Sequence, residues 1–231
     1  MENNKYDFVL IGAGQNHLTC AAYLAAAGCS VLLLEQDNHC GGGCTSGEVT
    51  VPGFKHDLHA TNVFIAQANP LLKNDELGLL SKFGLAFAKK DDDAAQGMVF
   101  DDGTVVVLYT DIERSCDSIA QFSAKDAKTY REFVAKTSKY IGLLEFALFR
   151  PPAPAETFLN ILRASTQGRE FLDYLNAPGW QLIDNLFEEP RTKIHLLRLM
   201  SEMVLDPTAP GTAFGLLFML GLYHRYKSGF V

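Results

Sequence analysis

No apolar run in this sequence is long enough to cross a bilayer. The longest one near its end, AFGLLFMLGLY from Ala213 to Tyr223, falls well short of the roughly 20 residues a span requires. A buried helix is expected there, with a membrane-dipping one as the alternative; that peripheral membrane contact would suit a lipid-like ligand. The opening MENNKY leaves no room for a charged, apolar and cleavable leader, so the reading is intracellular and cytoplasmic. Cys20, Cys29, Cys40, Cys44 and Cys116 are accordingly read as reduced thiols. Clustered lysine and arginine are missing, and the net charge is -7, which argues against nucleic acid as a partner. Internal repeats and low-complexity tracts are absent too. His56 and His59 stand three apart without a supporting ligand cluster, so no metal site is expected.

The composition that remains is that of a globular α/β chain. Of the 231 residues 48% are hydrophobic and 20% charged, enough apolar material for a substantial core. Phe8 to Ile11 reads as a buried strand, Leu18 to Ala27 as an Ala/Leu-rich helix stopping at Gly28, and Val31 to Leu34 as a second strand. Between the first strand and the helix lies Gly12-Ala13-Gly14-Gln15, where glycines allow a tight turn and the helix start turns backbone N–H groups toward a pyrophosphate. Glu35 follows 21 residues after Gly14, with Gln36 beside it. Its carboxylate is placed to accept both hydroxyls of an unphosphorylated adenosine ribose. Strand, glycines, helix, strand and acid in register indicate a dinucleotide site.

His17 occupies the position of the third glycine in G-x-G-x-x-G. That glycine serves helix-to-strand packing, so a side chain there is expected to shift the helix and not to block the ligand. A hydrogen bond from His17 to a phosphate is one reading; a tolerated packing or surface histidine is the preferred one.

A second glycine cluster, Gly41-Gly42-Gly43, follows in QDNHCGGGCTSG. Here the chain resembles the flavin oxidoreductases of the phytoene-desaturase and amine-oxidase group. VPGFKHDLHATNVF, NPLLKNDELGLLSKFGLAF, VFDDGTVVVLYTD and SIAQFSAKDAKTYREF resemble the phytoene-dehydrogenase-related, pyridine nucleotide-disulfide oxidoreductase domain-containing branch. The resemblance implies FAD as cofactor, held by Gly12, Ala13, Gly14, Gln15, Glu35, Gln36, Gly41, Gly42 and Gly43, with His59 toward the isoalloxazine side. It implies a hydrophobic small-molecule substrate that gives up hydride to flavin. Flavin accepts hydride directly, so no catalytic residue is assigned. Cys40 and Cys44, separated by three glycines, are read as thiols beside the cofactor in preference to a strained disulfide. A non-catalytic binding or assembly subunit and an NAD-dependent dehydrogenase stay open as alternatives.

Farther on, Asp102-Gly103 marks a hairpin turn, and the acidic KKDDDAAQG before it reads as a solvated loop. Ser123, three residues before Asp126, caps a long amphipathic helix whose apolar stripe is Tyr130, Phe133, Val134, Ile141 and Leu144. The prolines of RPPAPAE (Arg150 to Glu156) make a linker. Helical segments follow around 158–165, 169–175, 181–187, 191–205 and 212–226. Arg169, Arg191, Arg198 and His195 are candidates for a polar substrate group, though ordinary exposed helix positions are the preferred reading. Phe214, Leu217, Phe218 and Leu220 suit either a substrate channel or core packing. The expected fold is α/β, a Rossmann-like FAD-binding βαβ portion with hairpin over 1–111 and a mostly helical substrate or cap lobe over 112–231. Relative to the resembling family the sheet is incomplete, so a fragment, a split enzyme completed by a second polypeptide and an inactive remnant all stay open. An exposed apolar sheet edge is expected with it.

Overall fold

The computed structural model describes residues 5–60, 66–87 and 93–227, and these fall into two compact units, 5–87 and 93–227. In the first unit β1 (Phe8–Ile11) and β2 (Val31–Leu34) pair in parallel, with Phe8 opposite Val31 and Ile11 opposite Leu34. A parallel pair needs a crossover, and α1 (Gln15–Ala26) supplies it. This is the expected βαβ unit. Two short strands, β3 (Ser46–Gly47) and β4 (His56–Asp57), then run antiparallel, and Asn69 caps the single turn of α2 (Pro70–Lys73) by accepting the Leu71 N–H.

Burial in the two-stranded sheet is thin. Val9 and Ile11 share one face with Leu34, and they are 53%, 77% and 47% exposed. These are strand-forming side chains whose period-2 pattern asks for a covering layer, and the described residues leave them uncovered.

The second unit opens with an antiparallel hairpin, β5 (Ala94–Val99) and β6 (Val105–Tyr109), closed by the expected turn at Asp102-Gly103. Ala94 to Gly97, which read from the sequence as part of a solvated loop, are strand residues, with Ala95 buried; residues 89–92 of that run lie outside the described residues. The hairpin groups with the helices of the second compact unit. The cause is α3 (Ile112–Ala120), a helix absent from the sequence expectations. The Val107 and Tyr109 N–H groups on the outer edge of β6 donate to the hydroxyls of Ser118 and Ser115, each at 2.8 Å, so α3 seals that edge.

The remaining elements are helices: α4 (Ala124–Leu148), α5 (Ala155–Arg163), α6 (Thr166–Asn176), α7 (Gly179–Leu186), α8 (Pro190–Ser201) and α9 (Ala213–Tyr226). Ser123 accepts the Asp126 N–H at 3.0 Å, as its spacing predicts, and the α4 stripe from Tyr130 to Leu144 is buried. Large side chains buried this completely contribute about 1.5–3 kcal/mol each. The apolar run of the sequence is α9, a buried helix of the unit, and among the described residues no helix is long and apolar enough to cross a membrane. Gly221 lets α9 approach α4 closely, since a Cβ there would come within 1.9 Å of Ile141 Cδ1.

Candidate functional site

The site of interest lies in the first unit, where β1 ends. Gly12 has φ +96, a backbone state that side chains disfavour, and its N–H donates to the Leu34 carbonyl at 2.7 Å. The chain thereby turns off the sheet edge into α1. Gly14 caps α1 without a side-chain hydrogen bond, and no acidic residue sits in the first turn. The positive end of the helix dipole is thus not neutralised by the helix's own side chains, which suits an anion.

The glycine cluster that follows β2 returns to this turn. Gly41 donates its N–H to the Ala13 carbonyl at 2.8 Å, and Gly14 and Gly41 form a parallel bridge. Gly42 has φ +56, and a Cβ built on it would stand 2.9 Å from Gly14 Cα. Only glycine satisfies both the backbone state and the contact. Gln15 lies against the same loop, its side-chain oxygen 3.4 Å from that Cβ position. Two glycine turns whose first members (12 and 41) are 29 positions apart are therefore stacked backbone on backbone.

Glu35 holds the arrangement from the end of β2. Its Oε2 accepts the Ala13 N–H at 2.6 Å, and its Oε1 accepts those of Gln36 at 2.8 Å and Asp37 at 3.1 Å. These bonds, the one from Ala13 foremost, hold its carboxyl below the usual range, so the group is charged at neutral pH. A carboxylate has about four acceptor positions, and three are taken. The expectation from sequence assigns both ribose hydroxyls to Glu35; the geometry leaves it an acceptor position for one.

His59 lies in the bend after β4, beside the glycine loop, since the Ala60 N–H donates to the Gly43 carbonyl at 2.9 Å. Its neighbour His56 meets the Thr50 hydroxyl at 2.8 Å. Cys40 and Cys44 are free and exposed. His17, in the place of the third glycine, is exposed, and its Nδ1 lies 3.1 Å from the Gly12 carbonyl oxygen. Its sequence position offers no hint of this bond back to the first glycine.

The candidates in the second unit do not converge. Arg191 pairs with Asp102 and Glu189, donates to Thr104 and lies over the rings of Phe100 and Phe122. It fastens the hairpin turn to the start of α8. Asp102 is pulled down to about 2, by its bonds from Thr104 first and then by Arg191. Arg198 pairs with Glu202, and Arg169 bonds within its own helical region. His195 departs from the expected exposed position: it is 1% exposed, and neither ring nitrogen has a hydrogen-bond partner among the described residues. Burial pushes its imidazole down to about 4. Leu217 and Leu220 are core residues, while Phe214 and Phe218 stack on each other at 5.6 Å and are half-buried.

Residues 10–74 match the family described as NAD(P)-binding Rossmann-like domain, so the class of the first unit is a dinucleotide-binding one. The chain as a whole is related to oxidoreductases. It is 31% identical to one of the subunits of limonene dehydrogenase from Castellaniella defragrans over 92% of its length, and 26% identical to pyridine nucleotide-disulfide oxidoreductase domain-containing protein 2 of Mus musculus over the same share. It spans 38% and 40% of those relatives' lengths. Among solved structures it is similar to RAB GDI from Plasmodium falciparum, with TM-score 0.54 and 13% identity over 95% of this chain and 49% of that one. It is also similar to a putrescine oxidase redesigned in its cofactor binding, with TM-score 0.51 and 15% identity over 93% of this chain and 43% of that one. At these identities the likeness is one of fold, and fold alone carries no activity.

Proposed function

We propose that this chain is the cofactor-binding part of an FAD-dependent oxidoreductase of the dehydrogenase or desaturase type. The observation that carries the reading is the stacking of Gly41-Gly42 on Gly12-Ala13-Gly14. A single glycine turn serves many nucleotides; a second one fixed against it offers a longer backbone surface to a pyrophosphate and the chain beyond it. In this reading Gly12, Ala13, Gly14 and Gln15 face the pyrophosphate at the start of α1. Glu35 accepts one ribose hydroxyl, Gln36 lies beside it, and Gly41, Gly42 and Gly43 follow the cofactor toward its flavin end, with His59 next to them. FAD, when bound, supplies the hydride acceptor. The chain's own residues bind and orient it, and none is assigned as a base.

The first unit is then the cofactor portion, and the second, mostly helical unit the substrate or cap lobe. Limonene, in the name of one relative, is an apolar hydrocarbon, which supports a hydrophobic substrate. That relative is by its name one subunit among others, which together with the uncovered Val9, Ile11 and Leu34 supports a second polypeptide over the sheet. We place the protein in the cytoplasm, with its cysteines reduced.

The family description favours a nicotinamide dinucleotide as the second reading. Equilibrium titration of the purified chain with FAD, NAD and NADP separates the two. FAD is expected to bind tightest, and Gly42→Ala to abolish its retention, because the added methyl meets Gly14. Tighter binding of NAD, undisturbed by Gly42→Ala, would transfer the site to a nicotinamide dinucleotide.

A further inference from the structure

The carbonyl of Gly12 and the N–H of Ala13 belong to one trans peptide and point to opposite sides of the chain. Each end is held by a side chain. Glu35 Oε2 takes the Ala13 N–H at 2.6 Å, and His17 Nδ1 lies 3.1 Å from the Gly12 oxygen. A carbonyl oxygen only accepts, so Nδ1 carries the proton of this bond. Carboxylate, peptide and imidazole thus form a hydrogen-bonded chain whose middle member is the first peptide of the glycine turn.

That peptide needs holding. Gly12 has wide backbone freedom, so the unit between Gly12 and Ala13 can turn over by compensating rotations on either side. Turned over, it would aim a carbonyl at the Glu35 carboxylate and withdraw a donor from the turn. Glu35 opposes this from one side, and His17 from the other.

We propose that His17 is a positioning residue of the dinucleotide turn: it fixes the Gly12–Ala13 peptide by a side-chain hydrogen bond, where a glycine at 17 would contribute only close helix packing. The inference rests on the dinucleotide reading of this turn. It gives the departure from G-x-G-x-x-G a function, since a turn held in its binding orientation before the ligand arrives loses less freedom on binding.

The test is an FAD titration of the full chain and three variants, with unfolding midpoints measured alongside. His17→Leu keeps bulk without a donor, His17→Gly restores the glycine motif, and His17→Asn places an amide N–H close to where Nδ1 stands. Leu and Gly are expected to weaken FAD binding about three- to tenfold, the equivalent of one hydrogen bond, and Asn to recover most of the loss, the midpoints reporting separately what each change costs the fold. Equal or tighter binding by His17→Gly overturns the proposal. If the parent chain takes up no FAD, the cofactor reading fails by itself, and the brace is then judged by hydrogen exchange at the Ala13 amide. Faster exchange in His17→Leu, reversed in His17→Asn, supports it; equal exchange in all overturns it.

Discussion

Glu35, proposed above as a ribose partner, also braces backbone: three of its acceptor positions take backbone N–H groups, one of them in the first glycine turn. Glu35→Gln therefore removes charge from the ribose contact and from the turn together. Charge-assisted bonds are worth about 1.5–3 kcal/mol, so FAD binding in the titration is expected to fall at least about tenfold; an unchanged affinity would separate Glu35 from the site. His195 makes a prediction of a different kind. The folded state holds its imidazole unprotonated down to about 4, by burial first and Arg198 second, against an ordinary value of 6.5. Between those values the unfolded chain binds a proton that the folded chain refuses, so stability is full above 6.5 and falls as pH drops toward 4. The loss is on the order of 2–3 kcal/mol. Trp180 is the sole tryptophan and lies in α7 of the same unit, so urea unfolding followed by its fluorescence reads this directly. His195→Leu should lessen the pH dependence across that window, leaving the share of His224, which burial also lowers, and an unchanged slope would assign it to other groups.

Among the elements, those defined by local chemistry were legible. The Asp-Gly hairpin turn and the Ser123 cap rest on residues close along the chain, the βαβ unit on patterns legible within each of its three elements, and all three are in the structure. What the sequence hid depends on distant partners. Asp126 reads as a first-turn acid of α4, but it is fully buried and its two oxygens accept the Glu188 and Glu189 N–H groups at 2.9 Å each, joining α4 to the start of α8 across more than sixty residues. Asp126→Ala leaves both donors without that partner and is expected to cost about 2–4 kcal/mol in urea unfolding. Asp126→Asn, which keeps an acceptor, should cost less, and equal losses would point to packing instead of hydrogen bonding. α3 was hidden for the same reason. Its serines look solvent-facing in a short polar stretch, and their bonds to β6 appear only when strand and helix are brought together. Burial of His195 was equally hidden, because a polar residue on a helix gives no local sign of which face the neighbouring helices cover.

At the scale of the molecule, the glycine site was legible in its parts and not in its closure. The sequence orders Gly12, Gly14, Glu35 and Gly41 along the chain; the structure adds that the Ala13 carbonyl and the Gly41 N–H join the two turns, and that Glu35 and His17 grip the peptide between Gly12 and Ala13. The exposed face of β1 and β2 is the observation within this chain that supports the proposed second polypeptide. The chain spans about two fifths of the curated relatives it matches. The most direct test of the central claim is the visible absorption spectrum of the purified chain after incubation with FAD and removal of unbound ligand. The account predicts a retained flavin spectrum, lost in Gly42→Ala. A colourless protein that instead retains a nicotinamide dinucleotide, or nothing at all, would contradict it.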